Sequence, residues 1–389
     1  MERIRQQLRQ LQQQQRYRRR RAVSELTGSR VSVDGRVLLN FSDNDYLGLR
    51  QHPQVIQACT QAAQNYGVGS GASALISGYS DQHQALEEEL ADFLGYEAVL
   101  LFSSGYLANQ AVLNSLCQRG DSIYSDQLNH ASLIDGCRLS RADVYRYAHA
   151  DSDHLSGLLQ KNARQQGDGE NFILSDGVFS MDGDLAAYSE LRELADQHQA
   201  TLIIDDAHGV GVMGAQGCGS WEFAGATRPD ILVGTLGKAF GTHGAYVAAS
   251  KERIEWLIQK GRSYIYTTAL APPIAAATRA SLRLIRDGSG LRNKLQANIA
   301  YFRQAVADHG LDLLSSNSPI QPLLLGDEQD LLDWAGKLNQ AGILVGAIRP
   351  PTVPEGTCRL RITLSAGHTK TEINQLLKGL NLCNRQKTT

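Results

Sequence analysis

The pattern of apolar and polar positions changes twice along the 389-residue chain. Residues 1–21 carry eight arginines among glutamines, and read either as an anion-binding arm or as a solvated surface helix. Two short runs follow, Val31–Val33 and Val37–Phe41, joined by the turn pair Asp34-Gly35, which favours a β-ribbon. From Pro53 onward, helical patterns alternate with short apolar runs. His52-Pro53 opens a helix running to Tyr66, and Asp81 is the expected N-cap of one ending at Gly95. The runs Ala98–Phe102, Ser122–Ser125, Val144–Tyr147, Phe172–Ser175, Thr201–Asp205, Ile231–Thr235 and Ala245–Ala249 have strand length. Helical stretches such as Tyr106–Cys117, Tyr188–Gln199 and Lys251–Lys260 separate several of them. This alternation predicts right-handed crossovers and a mostly parallel α/β sheet of seven strands, buried on both faces.

After residue 270 the order reverses. Helices over Pro273–Asp287 and Leu291–His309 precede strands at Pro322–Leu325, Leu344–Ile348 and Arg359–Thr363, and a last helix starts at Thr369. Such an order suggests a smaller α+β domain. The expected layout is an N-terminal helix and ribbon over 1–50, a large α/β domain over 51–270 and a C-terminal α+β domain over 271–389.

Composition narrows the classes. An apolar content of 42% supports a large core, and 38 Lys+Arg nearly cancel 40 Asp+Glu, so no overall charge draws nucleic acid or an anionic membrane. No run of about 18 apolar residues occurs, so no membrane span is expected. Cys59, Cys117, Cys137, Cys218, Cys358 and Cys383 form no CxxC pair, which favours reduced thiols in a cytoplasmic protein over zinc or disulfide roles. The N-terminus lacks the apolar stretch of a secretory signal.

In open α/β sheets the reactive residues gather beyond the carboxyl ends of the strands. Three clusters fall at such ends. Ser103-Ser104-Gly105-Tyr106 follows a strand and opens a helix, where free N–H groups and the positive end of the helix dipole suit a phosphate. Thr201–Asp205 delivers Asp205 at its end, followed by Asp206-Ala207-His208-Gly209. No His, Cys or Glu set stands at ligand spacing beside it, so a metal is not expected. Thr235-Leu236-Gly237-Lys238 ends a third strand, and a lysine held in the interior has the lowered pKa that an amine nucleophile needs. A lysine, a carboxylate and a phosphate cradle together suit pyridoxal 5'-phosphate, which needs one of each. The glycine string Gly67-Val68-Gly69-Ser70-Gly71-Ala72 follows a helix, whereas a dinucleotide fingerprint follows a strand. Neither GxxxxGK[ST] nor GxSxG occurs, which removes the P-loop and α/β-hydrolase readings.

Four strings make the picture specific: Phe41-Ser42-Asp43-Asn44-Asp45-Tyr46-Leu47-Gly48-Leu49, Phe179-Ser180-Met181-Asp182-Gly183-Asp184, Asp205-Asp206-Ala207-His208-Gly209 and Ile348-Arg349-Pro350-Pro351-Thr352-Val353-Pro354. They resemble the α-oxoamine synthases, a fold-type-I pyridoxal-phosphate family that condenses an amino acid with an acyl thioester and releases CO2. The likeness runs from Arg18 to the C-terminus. Within the family, the last string is most similar to members that join L-alanine to a pimeloyl thioester.

The resemblance implies roles for residues of this chain. Lys238 would bond the cofactor aldehyde and later move the alanine α-proton. Asp205 would pair with the pyridinium nitrogen, and His130 would stack on the ring and act as an acid near the acyl oxygen. Ser180 and His208 match groups near the phenolic oxygen, and Thr235 with the Gly105-Tyr106 backbone matches the phosphate site. Asn44, Arg349 and Thr352 match substrate-binding positions, Arg349 being suited to gripping a carboxylate. Thr267 and Thr268 match a segment that reaches the phosphate of a neighbouring subunit, which implies a homodimer with shared sites. Aligning on Ala22-Val23 makes Arg18 the acyl-substrate arginine, with Arg19 to Arg21 as alternatives. Two departures stand out: Tyr106 replaces the family's usual phenylalanine, and Gly241-Thr242-His243-Gly244 after the lysine is atypical, leaving His243 without a role.

Overall fold

The computed structural model describes residues 1–14, 16–163 and 169–385. The arginine-rich start is the surface helix α1 (Glu2–Gln13), none of whose residues is buried. Three short strands follow: β1 (Val23–Thr27), β2 (Arg30–Val33) and β3 (Arg36–Asn40). Asp34 and Gly35, at φ 52° and 74°, turn β2 into β3 as the Asp-Gly pair predicts. The sequence pattern missed β1, because Ser24, Glu25 and Thr27 leave no apolar alternation at this sheet edge.

The seven apolar runs build one sheet from β4 (Ala98–Phe102), β5 (Ser122–Asp126), β6 (Asp143–Tyr147), β7 (Asn171–Asp176), β8 (Thr201–Asp205), β9 (Ile231–Thr235) and β10 (Ala245–Ala249). Their order is β4-β10-β9-β8-β7-β5-β6, and only β10 runs against its neighbours. Alternate residues enter opposite layers. Ile123, Leu174, Ile203 and Val247 pack under α4 (Gly105–Leu116) on one face, while Tyr124, Ile173, Leu202 and Ile204 pack with Leu191 and Leu155 on the other.

Before β4 lie α2 (Pro53–Tyr66) and α3 (Asp81–Leu94). The N-cap of α3 is Ser80 rather than Asp81, because the ring of His83 accepts the Ser80 N–H at 3.0 Å. The C-terminal strands are β11 (Ile320–Gly326), β12 (Ile343–Leu344), β13 (Gly346–Ile348) and β14 (Cys358–Thr363). The run expected as one strand over Leu344–Ile348 divides at the buried Val345: β12 pairs in parallel with β3, whereas β13 pairs antiparallel with β14. The C-terminal segment thus grips the N-terminal ribbon. Among the described residues no helix is long and apolar enough to cross a membrane.

Candidate active site

The parallel strands end along one edge of the sheet, and their last residues carry the polar groups. β7 and β8 pair in register at their ends, so Asp176 stands beside Asp205. Past β9, Lys238 sits on a loop whose return Gly241 makes possible. At φ 67° this residue is left-handed, and a Cβ there would lie 2.4 Å from the Arg50 nitrogen. His243 on the same loop is exposed.

A cavity of about 220 Å³ collects eight of the residues singled out by sequence: Gly105, Tyr106, His130, Ser180, Asp205, His208, Thr235 and Lys238. Lys238 Nζ lies 2.8 Å from His208 Nε2. Burial pushes the Lys238 amine down to about 8, against the opposing pull of Asp205. His208, buried and beside the charges of Lys238 and Arg361, is driven well below the ordinary imidazole range, so its ring is neutral. Its other nitrogen, Nδ1, lies 2.6 Å from the hydroxyl of the fully buried Tyr46. That hydroxyl is 3.2 Å from Asn44 Oδ1, which connects Asn44 to the lysine through two rings.

Asp205 is held on both oxygens, by Asn109 Nδ2 at 2.6 Å and by the Ala207 N–H at 3.1 Å. Asp176 accepts the His130 N–H at 2.7 Å, and its carboxyl is raised well above the ordinary range by burial and by the Asp205 charge. At the start of α4, the N–H groups of Gly105 and Tyr106 have no carbonyl a turn earlier to bond. A Cβ on Gly105 would meet nothing within 4 Å, so the helix end opens freely into the cavity. The Tyr106 hydroxyl donates to Asp135, which also receives Arg138, so the extra hydroxyl fastens α4 to the helix α5 (Ala131–Leu139). Thr235 Oγ1 donates to the Gly244 carbonyl at 3.1 Å and accepts the Gly237 N–H at 3.3 Å, bracing the lysine loop.

The remaining sequence-selected residues lie elsewhere. Arg18, Arg349 and Thr352 line a second cavity, of about 600 Å³, between the N-terminal arm and Ala347–Thr352. Arg16 anchors the arm there by ion pairs to Glu328 at 3.2 Å and Glu355 at 2.7 Å. Thr267 and Thr268 stand in neither cavity. Thr268 bridges to Ser73, tying them to the segment that carries the exposed Val68 and Ile76.

Sequence reasoning missed Arg361, which is buried on β14 and whose acceptors among the described residues are neutral: the Ser180 carbonyl at 2.6 Å, Thr363 Oγ1 at 3.2 Å and Asn44 Oδ1 at 3.2 Å. An arginine inside an apolar strand was a readable signal. Asp176, at the end of an apolar run like Asp205, was another. Asn109 and Ser132 are polar residues on helices and gave none.

Comparison with known proteins agrees with this geometry. The model of the family "Aminotransferase class I and II" matches residues 36–380. The 8-amino-7-oxononanoate synthase of Saccharophagus degradans is 52% identical over 94% of this chain and 92% of its own length. A solved serine palmitoyltransferase of S. paucimobilis, with a bound adduct of pyridoxal phosphate and myriocin, superposes with a TM-score of 0.93 at 27% identity, over 98% of this chain and 97% of that one. The structure of 8-amino-7-oxononanoate synthase from Francisella tularensis gives a TM-score of 0.78 at 32% identity, over 90% of this chain and 99% of that one.

The fold is that of a fold-type-I pyridoxal-phosphate transferase. The chain belongs to the aminotransferase class I and II family and, within it, to the 8-amino-7-oxononanoate synthases. Pyridoxal phosphate is the cofactor, and the donor set suits it: an amine of lowered pKa, a carboxylate held on both oxygens and an open helix N-terminus face one cavity.

Proposed function

We propose that the chain joins L-alanine to a pimeloyl thioester, of CoA or of an acyl carrier protein, to give 8-amino-7-oxononanoate, CO2 and free thiol, a step in biotin biosynthesis. The observation that carries this is Lys238, its amine lowered to about 8 and set against neutral His208 inside the Asp205 cavity. When bound, pyridoxal phosphate supplies an electron-withdrawing ring that stabilises charge at the carbon beside the amino group.

The side chains do the rest. Lys238, a base near neutral pH, takes the α-proton of alanine and later returns one to the product. Asp205 would pair with the ring nitrogen and favour its protonated form. The Gly105 and Tyr106 N–H groups would hold the phosphate, and His130 would stack on the ring. Arg361, a buried guanidinium with neutral partners, orients the alanine carboxylate. Arg18, Arg349 and Thr352, across the larger cavity, hold the acyl substrate. The loss of CO2 and the departure of the thiol make the overall step irreversible.

A homodimer fits the surface. Val68, Ile76 and Tyr266 are 87%, 80% and 72% exposed, and the Ser73–Thr268 bridge attaches Thr267 and Thr268 to that apolar patch, where they reach a neighbouring subunit. Six free cysteines, five of them buried, suit a reducing cytoplasm. The test is to supply purified protein with L-alanine or glycine and with pimeloyl-CoA, acetyl-CoA or pimeloyl carrier protein, recording free thiol and product mass. Thiol release with alanine and a pimeloyl donor is expected; release with glycine and acetyl-CoA alone would refute the substrate assignment.

A further inference from the structure

A short polar chain runs beneath the cavity. Asn109, on α4, is 1% exposed, and its Nδ2 lies 2.6 Å from Asp205 Oδ2 and 2.9 Å from Ser132 Oγ. An amide nitrogen carries two protons, so both contacts are donated bonds. Reversing the amide would press its oxygen against a carboxylate oxygen at 2.6 Å, so charge alone selects this orientation. Ser132 Oγ, having accepted from Asn109, keeps its one proton for His130 Nδ1 at 2.7 Å, and the Ser132 N–H points at the same nitrogen from 3.2 Å. With two donors on Nδ1, the neutral imidazole carries its proton on Nε2. Asn109 Oδ1, meanwhile, is buried and has no hydrogen-bond partner among the described residues. A polar residue kept only for packing would be replaced by an apolar one without that desolvation penalty.

We propose that Asn109 is a positioning residue, whose single amide holds Asp205 and, through Ser132, presents His130 to the cavity as the Nε2–H tautomer. Its consequence for catalysis rests on the reading of Asp205 and His130 as the groups that face the cofactor ring. Donation runs one way, from Asn109 to Ser132 to His130, while the second proton of the same amide strengthens the grip on Asp205. Asp205 and His130, both lining the cavity, are thereby set by one side chain that does not line it.

The test reads the tautomer rather than turnover. Protein carrying ¹⁵N-histidine, with and without pyridoxal phosphate, is examined by two-bond ¹⁵N–¹H correlation, and His130 is assigned by the signals lost in His130→Gln. The expected wild-type pattern is a pyridine-type Nδ1 and a protonated Nε2. Asn109→Asp keeps the size of the side chain; its carboxyl shares one proton with Asp205, so the oxygen facing Ser132 only accepts, the Ser132 hydroxyl turns toward it, and Nδ1, left with the Ser132 N–H as donor, stays pyridine-type while its signal moves downfield. Ser132→Ala produces the same shift without disturbing the Asn109–Asp205 bond, and carries the test if Asn109→Asp does not fold. Ser132→Thr, which retains the hydroxyl, restores the wild-type pattern. A protonated Nδ1 in the wild type, or an unchanged His130 in both Asn109→Asp and Ser132→Ala, overturns the proposal. Because the pattern is also read in protein without cofactor, it does not depend on which thioester the enzyme accepts.

Discussion

The lowered pKa of Lys238 has a direct chemical readout. Its amine titrates at about 8 rather than 10.5, chiefly because burial penalises the ammonium form, with Asp205 pulling the other way. At pH 7 an amine of pKa about 8 is roughly 9% neutral, against roughly 0.03% for an ordinary lysine, an advantage of about 300-fold in reactive form. Competitive acetylation of the cofactor-free protein with trace acetic anhydride, quantified peptide by peptide by mass spectrometry, measures this directly. Exposed Lys251 serves as the internal reference. Limited access lowers the absolute rate at Lys238 but leaves the midpoint of its pH profile in place. That midpoint should fall near 8. Asp205→Asn removes the charge that opposes the shift, so the midpoint should move further toward acid. A midpoint near 10, or a move toward alkali in Asp205→Asn, would show that burial does not set the reactivity of this amine.

Other consequences are independent of that titration. Gly241→Ala forces a Cβ against the Arg50 nitrogen at a left-handed φ and should destabilise the protein by on the order of 2–4 kcal/mol in chemical denaturation. Gly157→Ala, where a Cβ meets nothing within 4 Å in a helix, should instead stabilise it by about 0.5–1 kcal/mol. Arg361→Ala should raise the KM for L-alanine by about tenfold or more, the loss of one charge-assisted carboxylate contact, with the thioester KM little changed. Arg16→Ala frees the arm from Glu328 and Glu355 and should do the converse, raising the thioester KM by roughly two- to fivefold, as partly exposed ion pairs allow. Steady-state kinetics with each substrate varied in turn separates the last two, and an equal rise in both KM values would contradict the division into two cavities.

Much of the fold was legible because its strongest elements are apolar on both faces. Thr201–Asp205, Ile231–Thr235 and Ala245–Ala249 could be bounded to the residue from composition alone, since a fully buried strand leaves a contiguous apolar run between polar ends. The weak points were those where local pattern and tertiary contact disagree. β1 hid because an edge strand needs no apolar alternation, and Leu344–Ile348 looked continuous because each half satisfies a different sheet. At the site, Lys238, Asp205, Gly105 and His208 could be named because a charged or flexible residue at the end of an apolar strand has few structural reasons to be there. Arg361 carried the same signal on β14 and was passed over for Arg349, whose string is the more distinctive in sequence but which lies by the larger cavity.

What the chain determines by itself is the alternation that makes a parallel sheet and the kinds of group placed at its strand ends, because burial and hydrogen-bond geometry act residue by residue along a strand. What only the tertiary structure decides is proximity across the sheet: that Lys238 meets His208, that Asn109 spans Asp205 and Ser132, and that Arg361 reaches Asn44 from 317 positions away. Those contacts join groups on separate elements, and their strength comes from exclusion of water, which exists only after the layers have closed over them.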